Sequence, residues 1–326
     1  MFTLDELKEA ADIVYDVMPP TPQYAWPLLA KRTGCEVWVK HENHTPIGAF
    51  KVRGGLVFLD QLMKSGTKID GMITATRGNH GQSIALACAR HNVPATIYVP
   101  HGNSVEKNNA MEVFGAHLVV HGVDFDEARI EAGRVGEEQN LYPVPSFHSW
   151  LVRGVSTYAL EFFSAQNDLD TVYVPIGMGS GICGLITARD LLGLKTKIVG
   201  VVAQNAPAYA MSFEAGEVRE TNSAATFADG MACRVPSAEA LEIICRGADR
   251  LVTVSEDEIA SAIRAYYSDT HNLAEGAGAA SLAALLQECA AMSGKKVGVI
   301  LSGGNVDAAS YNTMLSGGTP QLPGGA

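Results

Sequence analysis

The sequence has no excess of basic residues, no close pair of cysteines and no long apolar run. Its 326 residues carry 24 Lys and Arg against 35 Asp and Glu, a formal net charge of −11 at pH 7. This balance excludes the basic surface that a general nucleic-acid binder needs. The six cysteines form no C-x-x-C pair, so we expect them to be reduced and mostly buried.

Targeting signals are also missing from the sequence. The N-terminus lacks the basic and apolar regions of a secretory signal peptide, and no window approaches 18 uninterrupted apolar residues. We therefore expect a cytoplasmic protein that contacts no membrane and no nucleic acid. Thr3 and Glu6 instead match the T-x-x-E capping box, which predicts an N-terminal amphipathic helix with Leu7 and Val14 facing inward.

The sequence does contain a regular alternation of strand and helix patterns. Hydrophobic residues make up 47% and charged residues 18%, as in a globular protein with a large core. Eight short runs predict strands, at Glu36–Lys40, Met72–Ala75, Thr96–Val99, His117–Val120, Thr171–Val174, Lys197–Val202, Leu251–Val254 and Val297–Leu301. Helical patterns lie at Gln82–His91, Val105–Phe114, Asp124–Glu138, Ile182–Leu192, Glu256–Ser268 and Ala277–Met292. This alternation predicts an α/β fold with parallel sheets.

A glycine-rich segment between a predicted strand and a predicted helix indicates a phosphate site. Gly177, Met178, Gly179, Ser180 and Gly181 are consecutive. Glycines let backbone N–H groups converge, and a helix N-terminus adds partial positive charge. The same segment begins a G-x-G-x-x-G pattern. However, the next predicted strand is followed by Ala-Gln-Asn and not by the acid that a nicotinamide cofactor's ribose needs.

Lys51 is the candidate nucleophile. It lies between Phe50 and Val52 and close to Arg53. Apolar surroundings and a neighbouring cation both lower the pKa of an amine, which can then attack a carbonyl. A single lysine is usually a solvated surface residue. The prediction that Lys51 is a nucleophile therefore depends on the other motifs in the sequence.

Six motifs occur together and in a fixed order. They are Ala49-Phe-Lys-Val-Arg-Gly54, Thr76-Arg-Gly-Asn-His-Gly-Gln82, Gly177–Gly181, Ala228-Asp-Gly230, Glu275-Gly-Ala-Gly-Ala279 and Ser302-Gly-Gly-Asn305. In this order, from residue 21 to about residue 307, the chain resembles the fold-type II pyridoxal-phosphate (PLP) enzymes of the serine/threonine dehydratase family. Each motif is weak alone, and the set is specific.

The resemblance implies a tryptophan synthase β-like architecture. It comprises two three-layer α/β domains with parallel or mostly parallel sheets and the cofactor between them. Residues 1–67 and 148–326 would form the large, cofactor-binding domain. Residues 68–147 would form a small inserted domain that closes over the cleft. Family members are usually dimers or larger, so a homodimer is expected.

The resemblance also implies roles for individual residues. Lys51 would bind pyridoxal 5'-phosphate covalently and then remove the substrate α-proton. Asn79 would hydrogen-bond the ring hydroxyl, Ser302 would face the pyridine nitrogen, and the 177–181 backbone would bind the phosphate. The cofactor set is Phe50, Lys51, Asn79, Gly177, Met178, Gly179, Ser180, Gly181 and Ser302. The substrate set is Thr76, Arg77, Gly78 and His80.

The expected reaction is dehydration of a β-hydroxy-α-amino acid of the phenylserine, threonine or serine type to a 2-oxo acid and ammonia. A hydroxyl at Ser302, unlike a carboxylate, does not stabilise a protonated pyridine nitrogen. The ring is then a weaker electron sink, which favours rapid loss of a β-substituent. The amino-acid substrate is the expected small-molecule partner.

Several positions depart from the family pattern. Arg77 replaces the second serine of S-S-G-N-H, the opposite-face acid and base of the racemases, so racemisation is put in doubt. Trp26 replaces a serine after Thr21-Pro22. Here the chain looks more like the threo-3-phenylserine dehydratase branch than like the biosynthetic threonine deaminases. If Trp26 and Tyr24 face the site, they favour a larger or aromatic β-substituent; otherwise they pack in the core. The stretch 201–207 lacks the glutamate of the family's divalent-cation site, so no metal is expected.

Two alternatives remain open. A cysteine synthase-like β-replacement enzyme would carry a different lysine motif and G-N-T instead of Asn79-His80. A non-catalytic binding protein would have no reason to keep Lys51, Asn79 and Ser302 together. The chain ends soon after Asn305, so no regulatory domain and no end-product feedback are expected.

Overall fold

The structure is a computed structural model that describes residues 1–322. Its strands are β1 (Gln23–Ala25), β2 (Glu36–His41), β3 (Met72–Ala75), β4 (Ala95–Val99), β5 (His117–Val120), β6 (Tyr142–Pro143), β7 (Thr171–Pro175), β8 (Lys197–Ala203), β9 (Arg250–Val254) and β10 (Lys296–Leu301). The helices of the first half are α1 (Leu4–Tyr15), α2 (Pro27–Thr33), α3 (Lys51–Lys64), α4 (Asn79–His91), α5 (Val105–Val113), α6 (Phe125–Gln139) and α7 (Ser149–Ala165). Those of the second half are α8 (Ser180–Leu191), α9 (Ala208–Ala215), α10 (Ala238–Gly247), α11 (Glu256–Thr270), α12 (Gly276–Gln287), α13 (Cys289–Met292) and α14 (Ala308–Leu315).

The strands form two sheets. The larger has the order β1-β2-β10-β7-β8-β9, and the smaller has the order β5-β4-β3-β6. Every neighbouring pair is parallel except the short edge strand β1, which runs antiparallel to β2. Central strands such as β3 and β7 are buried at almost every position, as expected where helices cover both faces. The predicted α/β fold with mostly parallel sheets is confirmed.

The smaller sheet is built entirely from residues between 72 and 143. This segment falls inside the predicted inserted domain, 68–147, and both flanking segments contribute to the larger sheet. The exact domain boundaries at residues 67 and 148 stay a prediction. The helices α3 and α7, which lie outside the smaller segment, pack against each other, and α3 also packs against α4 inside it.

All eight predicted strands are present, each with ends within one residue of those predicted. The sequence patterns missed β1 and β6, which are too short to show alternation. They also missed the helices α2, α3, α7, α9, α10 and α14. In α3, Gly54 and Gly55 are poor helix formers. Tertiary packing explains these glycines, since a β-carbon at Gly55 would overlap Ser83 of α4. The predicted helix 277–292 is interrupted after Gln287.

The N-terminal helix begins as predicted. The Thr3 hydroxyl accepts a hydrogen bond from the Glu6 backbone, and the Glu6 carboxylate accepts one from the Thr3 backbone. Leu7 and Val14 are buried, facing the core. Among residues 1–322, no helix combines the length and apolar composition needed to cross a membrane.

A buried ionic cluster fixes the start of α3. Arg53 donates to Glu42 from Nε at 2.7 Å and to Glu161 from Nη1 at 2.6 Å. Lys40 donates to Glu161 at 2.5 Å. Burial alone would raise the pKa of Glu161, but Arg53 and Lys40 lower it below its ordinary value. The cluster joins β2, α3 and α7, and so fixes the position of the lysine two residues before Arg53.

Candidate active site

A cleft between the two sheets brings the predicted site residues together. Its empty volume, including the mouth, is about 970 Å³. The cleft opens at the carboxyl ends of β3, β7 and β10, where ligand sites of α/β folds are usually found. Every predicted residue lines it: Phe50, Lys51, Thr76, Arg77, Gly78, Asn79, His80, Gly177, Met178, Gly179, Ser180, Gly181 and Ser302.

Lys51 is the first residue of α3, and its amine points into the cleft. Nζ lies 3.1 Å from Ser180 Oγ and 5.1 Å from the centre of the Phe50 ring. Burial lowers the pKa of Lys51 to about 8. The expectation that Arg53 contributes to this shift is wrong, because its guanidinium is paired with Glu42 and Glu161.

The glycine-rich segment forms the turn between β7 and α8. The N-cap of α8 is Gly179, with φ +96°, and no side chain caps the helix. Its first-turn N–H groups are therefore available to a ligand. A β-carbon at Gly177 would overlap the carbonyl oxygen of Gly230. Packing therefore requires glycine at position 177, and the positive φ favours glycine at position 179.

Asn79 belongs to a polar network that crosses the cleft. Its Nδ2 donates to Glu275 at 2.6 Å, and its Oδ1 accepts from Asn305 at 2.8 Å. Lys107 Nζ lies 3.4 Å from Glu275 and 3.5 Å from Asp229. Burial raises the pKa of Glu275, an effect that Lys107 and Asn79 oppose. The network orients Asn79 from both sides.

The loop of residues 76–80, which contains the predicted substrate-binding residues, places three polar side chains in different surroundings. Arg77 Nη2 lies 3.2 Å from Asp229, and its buried Nε has no hydrogen-bond partner within the described chain. The Thr76 hydroxyl oxygen accepts from the N–H groups of Gly78 and Gly81, at 3.0 and 3.3 Å, so it shapes the loop. Burial, with the nearby charge of Lys51, lowers the pKa of His80 to about 3. The imidazole is therefore neutral at physiological pH.

Ser302 follows β10 and lies at the base of the cleft. Its carbonyl oxygen accepts from the N–H of Phe50 at 3.0 Å. The neighbouring Gly303 forms an isolated antiparallel bridge with Ala49. Ser302 and Lys51 are therefore held in register, although 251 positions separate them in the sequence.

The structure adds site residues that the predictions omitted. Asp229 and Glu275 belong to recognised motifs but were given no role, whereas Lys107, Phe125 and Ser146 carried no signal. Lys107 reads from sequence as a surface residue of an amphipathic helix, yet it is 6% exposed. Only the approach of α5 to Asp229 and Glu275 marks it as part of the cleft.

Tyr24 and Trp26 are not among the residues that line the cleft. Tyr24 is 53% exposed on the edge strand β1. Trp26 packs against the core of the larger sheet, and its Nε1 donates to His41 at 3.0 Å. The condition for contact with an aromatic substrate group is therefore not met, and Trp26 follows the alternative of core packing. Within residues 1–322, no group of three or more His, Cys, Asp or Glu side chains is arranged to hold a metal ion.

Comparisons with known proteins agree with this geometry. Residues 14–303 match the family described as pyridoxal-phosphate dependent enzymes. The chain belongs to this family. It is 33% identical to an L-threonine ammonia-lyase of Thermotoga maritima over 98% of this chain and 79% of the relative. It is 31% identical to the L-threo-3-hydroxyaspartate ammonia-lyase of Saccharomyces cerevisiae over 97% of each chain.

Solved structures show the same fold. The processed threonine deaminase isoform 2 of Solanum lycopersicum superposes with a TM-score of 0.86 at 29% identity, over 97% of this chain and 94% of that one. Maize serine racemase gives 0.88 at 26% identity, over 96% and 97%. The fold is thus that of fold-type II enzymes, and its cofactor is pyridoxal phosphate.

The cleft of this pyridoxal-phosphate dependent enzyme fits that cofactor. A partly buried amine with a lowered pKa suits reaction with an aldehyde, and the uncapped start of α8 suits a phosphate. The distance of 3.1 Å from Lys51 Nζ to Ser180 Oγ brings these two features together. Lys51 would hold the aldehyde end, and residues 177–181 would hold the phosphate.

Proposed function

We propose that the chain is a dehydratase that acts on β-hydroxy-α-amino acids. The observation that carries the proposal is the Lys51 amine, held in the cleft beside the glycine-rich turn with a pKa of about 8. The bound cofactor would withdraw electrons from the substrate α-carbon. Lys51 Nζ, neutral in a large fraction of molecules near pH 8, would take the α-proton.

Overall, the substrate loses hydrogen from Cα and hydroxide from Cβ as water, and hydrolysis of the resulting enamine releases ammonia and a 2-oxo acid. The hydrogen bond between Lys51 Nζ and Ser180 Oγ offers a path for the proton toward the phosphate end of the cleft. Threonine and hydroxyaspartate ammonia-lyases among the relatives support elimination over β-replacement.

Arg77 supports elimination over racemisation. A racemase needs a second acid or base on the face of the substrate opposite the lysine. Arg77 stands where that serine is expected, and a guanidinium offers N–H donors and no acceptor for the α-proton. We expect no D-serine from L-serine, and the Arg77→Ser variant would test whether a hydroxyl there is sufficient for exchange.

For the substrate side chain we propose an apolar β-substituent, methyl or phenyl. Phe125, Met178 and Ala232 give the cleft an apolar wall. The cation best placed to meet a second carboxylate, Arg77, is already paired with Asp229. The apolar wall, and not Trp26, would contact the β-substituent, and phenylserine stays a candidate beside threonine and serine.

The deciding experiment measures kcat/KM for 2-oxo acid formation from serine, threonine, threo-3-phenylserine and threo-3-hydroxyaspartate. Threonine or phenylserine should be the best substrate, and Phe125→Ala should reduce the preference for that substrate over serine. Hydroxyaspartate as the best substrate would contradict the apolar wall. No turnover of all four, with cysteine formed from O-acetylserine and sulfide, would favour β-replacement.

Borohydride reduction separates an enzyme from a non-catalytic binding protein. The purified holoenzyme should be yellow, and reduction should fix the cofactor on the peptide that contains Lys51. Lys51→Ala should abolish both the fixation and the turnover. A colourless protein that takes up no cofactor would contradict the proposal.

A further inference from the structure

Two tyrosines of the buried core contact the glycine-rich turn, and neither of them lines the cleft. Tyr158 of α7 and Tyr209 of α9 are each 1% exposed. Tyr209 Oη donates to the carbonyl oxygen of Met178 at 3.0 Å, and Tyr158 Oη donates to that of Gly181 at 3.0 Å. The two hydroxyls thus bind carbonyl groups at both ends of the turn.

The geometry of the peptide unit relates these carbonyl contacts to the direction of the N–H groups that follow them. In a trans peptide unit, the C=O and the following N–H are coplanar and point in opposite directions, and no peptide bond in residues 1–322 is cis. Holding the Met178 carbonyl on the core side therefore turns the Gly179 N–H away from the core. The Gly181 carbonyl and the Ile182 N–H are related in the same way.

Further contacts make Tyr209 a fixed point. Its oxygen also accepts from the N–H of Ser237 at 3.1 Å, which ties the N-cap of α10 to the turn. A β-carbon at Gly179 would lie 3.1 Å from the same oxygen. Burial raises the pKa of both tyrosines above the ordinary value, so the hydroxyls keep their protons and donate at all physiological pH values.

We propose that Tyr158 and Tyr209 are positioning residues for the cofactor phosphate. They fix two peptide planes so that the N–H groups of residues 179 and 182 face the anion before it binds. The inference rests on the placement of the phosphate at residues 177–181 and does not depend on which amino acid is the substrate.

Equilibrium binding to the apoenzyme tests the inference. Tyr158→Phe and Tyr209→Phe each remove one hydroxyl and keep the ring. We expect the Kd for pyridoxal phosphate, measured by fluorescence titration, to rise about five- to tenfold in each variant, as for the loss of one hydrogen bond. The Kd for pyridoxal, which has no phosphate, should change less than twofold.

The matched control is Tyr266→Phe. Tyr266 is fully buried, and its hydroxyl has no hydrogen-bond partner among the described residues. This variant should bind both ligands as the parent does. Thermal unfolding of each apoprotein identifies a variant that is merely destabilised, and inorganic phosphate should compete less well in the two test variants.

Two results would overturn the proposal. One is that both test variants bind pyridoxal phosphate as Tyr266→Phe does. The other is an equal loss of pyridoxal and pyridoxal phosphate affinity, which would point to general loosening of the cleft. Because the readout is cofactor binding, failure of the proposed dehydratase activity would leave either result interpretable.

Discussion

The amine of Lys51 hydrogen-bonds a hydroxyl, Ser180 Oγ, and not a carboxylate. Burial therefore acts on its pKa without a neighbouring negative charge to oppose it, and the pKa falls to about 8. Arg53, two residues later, has the opposite environment because two carboxylates hold its charge in the core. Two positions in the sequence thus separate a reactive cation from a structural one.

The lowered pKa predicts a pH dependence for cofactor attachment. Only the neutral amine attacks an aldehyde, and the neutral form of Lys51 predominates above pH 8. The rate of pyridoxal-phosphate attachment to the apoenzyme should rise as the pH increases through about 8 and then level off. Stopped-flow absorbance checks this, with Lys51→Ala as the control. A midpoint near 10.5, the ordinary lysine value, would contradict the burial argument.

At the scale of elements, the start of α8 and the start of α3 are built differently. The first depends on the absence of side chains, since Gly177 and Gly179 leave the backbone open. The second depends on buried charge, since Arg53 joins α3 to β2 and α7. We therefore expect substitutions at the two helix starts to have different effects, on cofactor binding at α8 and on stability at α3.

Gly177→Ala should strongly weaken pyridoxal-phosphate binding. The added methyl would meet the Gly230 carbonyl oxygen, so the turn must move to accommodate it. Titration of the apoenzyme should give a Kd at least tenfold higher. The control is Gly133→Ala on the exposed side of α6, where an added β-carbon would meet no atom of another element within 4 Å. This variant should leave the Kd unchanged and raise Tm slightly. Equal Kd values in the two variants would refute the steric argument.

Arg53→Met should destabilise the fold by about 3–5 kcal/mol, because it removes the cation paired with the buried Glu42 carboxylate and leaves Glu161 paired with Lys40 alone. The pKa of Glu161 is lowered in the folded state, so its contribution is present at neutral pH and is lost as the pH falls through the folded-state pKa. The variant should lose part of this acid-side dependence. Urea unfolding at several pH values measures both effects.

Arg134→Met serves as the control for that comparison. Arg134 also pairs with two glutamates, Glu131 and Glu138, but its side chain is 53% exposed. Surface pairs contribute little to stability, so its unfolding midpoint should stay near that of the parent. An equally large loss in both variants would remove burial as the explanation.

At the scale of the whole molecule, ion pairs bridge the cleft. Arg77 and Lys107 belong to the segment that forms the smaller sheet, here called the smaller layer. Both form ion pairs with Asp229, which belongs to the larger layer built around the larger sheet. Such contacts can be made and broken as a unit when one layer rotates over the other. They place the 76–80 loop at the edge that would move.

We expect the smaller layer to close when a substrate analogue binds. Alanine keeps the α-carboxylate and α-amine but has no leaving group, so it should reduce the radius of gyration of the holoenzyme in solution scattering. Asp229→Asn, which weakens both bridging pairs, should reduce this change, and Asp168→Asn at a distant exposed pair should not. Identical scattering with and without alanine would count against closure.

We also propose that the chain forms a homodimer. Tyr24, Leu28, Tyr267 and Leu273 are large apolar side chains, each between 46% and 53% exposed. Tyr24 lies on the edge strand β1, and Leu28 and Tyr267 lie on α2 and α11, which are joined by two hydrogen bonds from Arg32 to Asp269. Light scattering should give twice the 34.5 kDa mass of the chain, and Leu28→Asp should shift it toward the monomer. A monomeric parent protein would exclude the proposal.

Local patterns were sufficient to predict much of this protein. The eight longer strands, the capping box at Thr3 and the glycine-rich turn depend on neighbours in sequence, so they could be predicted from local patterns. The motifs around Lys51, Asn79 and Ser302 predicted a shared site, and the structure brings these three residues to one cleft.

Other features were decided only by the tertiary structure. Lys107 becomes a cleft residue because α5 packs toward Asp229 and Glu275, and Trp26 leaves the site because it packs on the larger sheet. The hydroxyls of Tyr158 and Tyr209 reach the turn from helices far along the chain. The sequence gives the chemistry of each residue, and the pattern of its neighbours predicts its local conformation. Long-range packing determines which groups surround the residue, and these groups set its charge, its partners and its role.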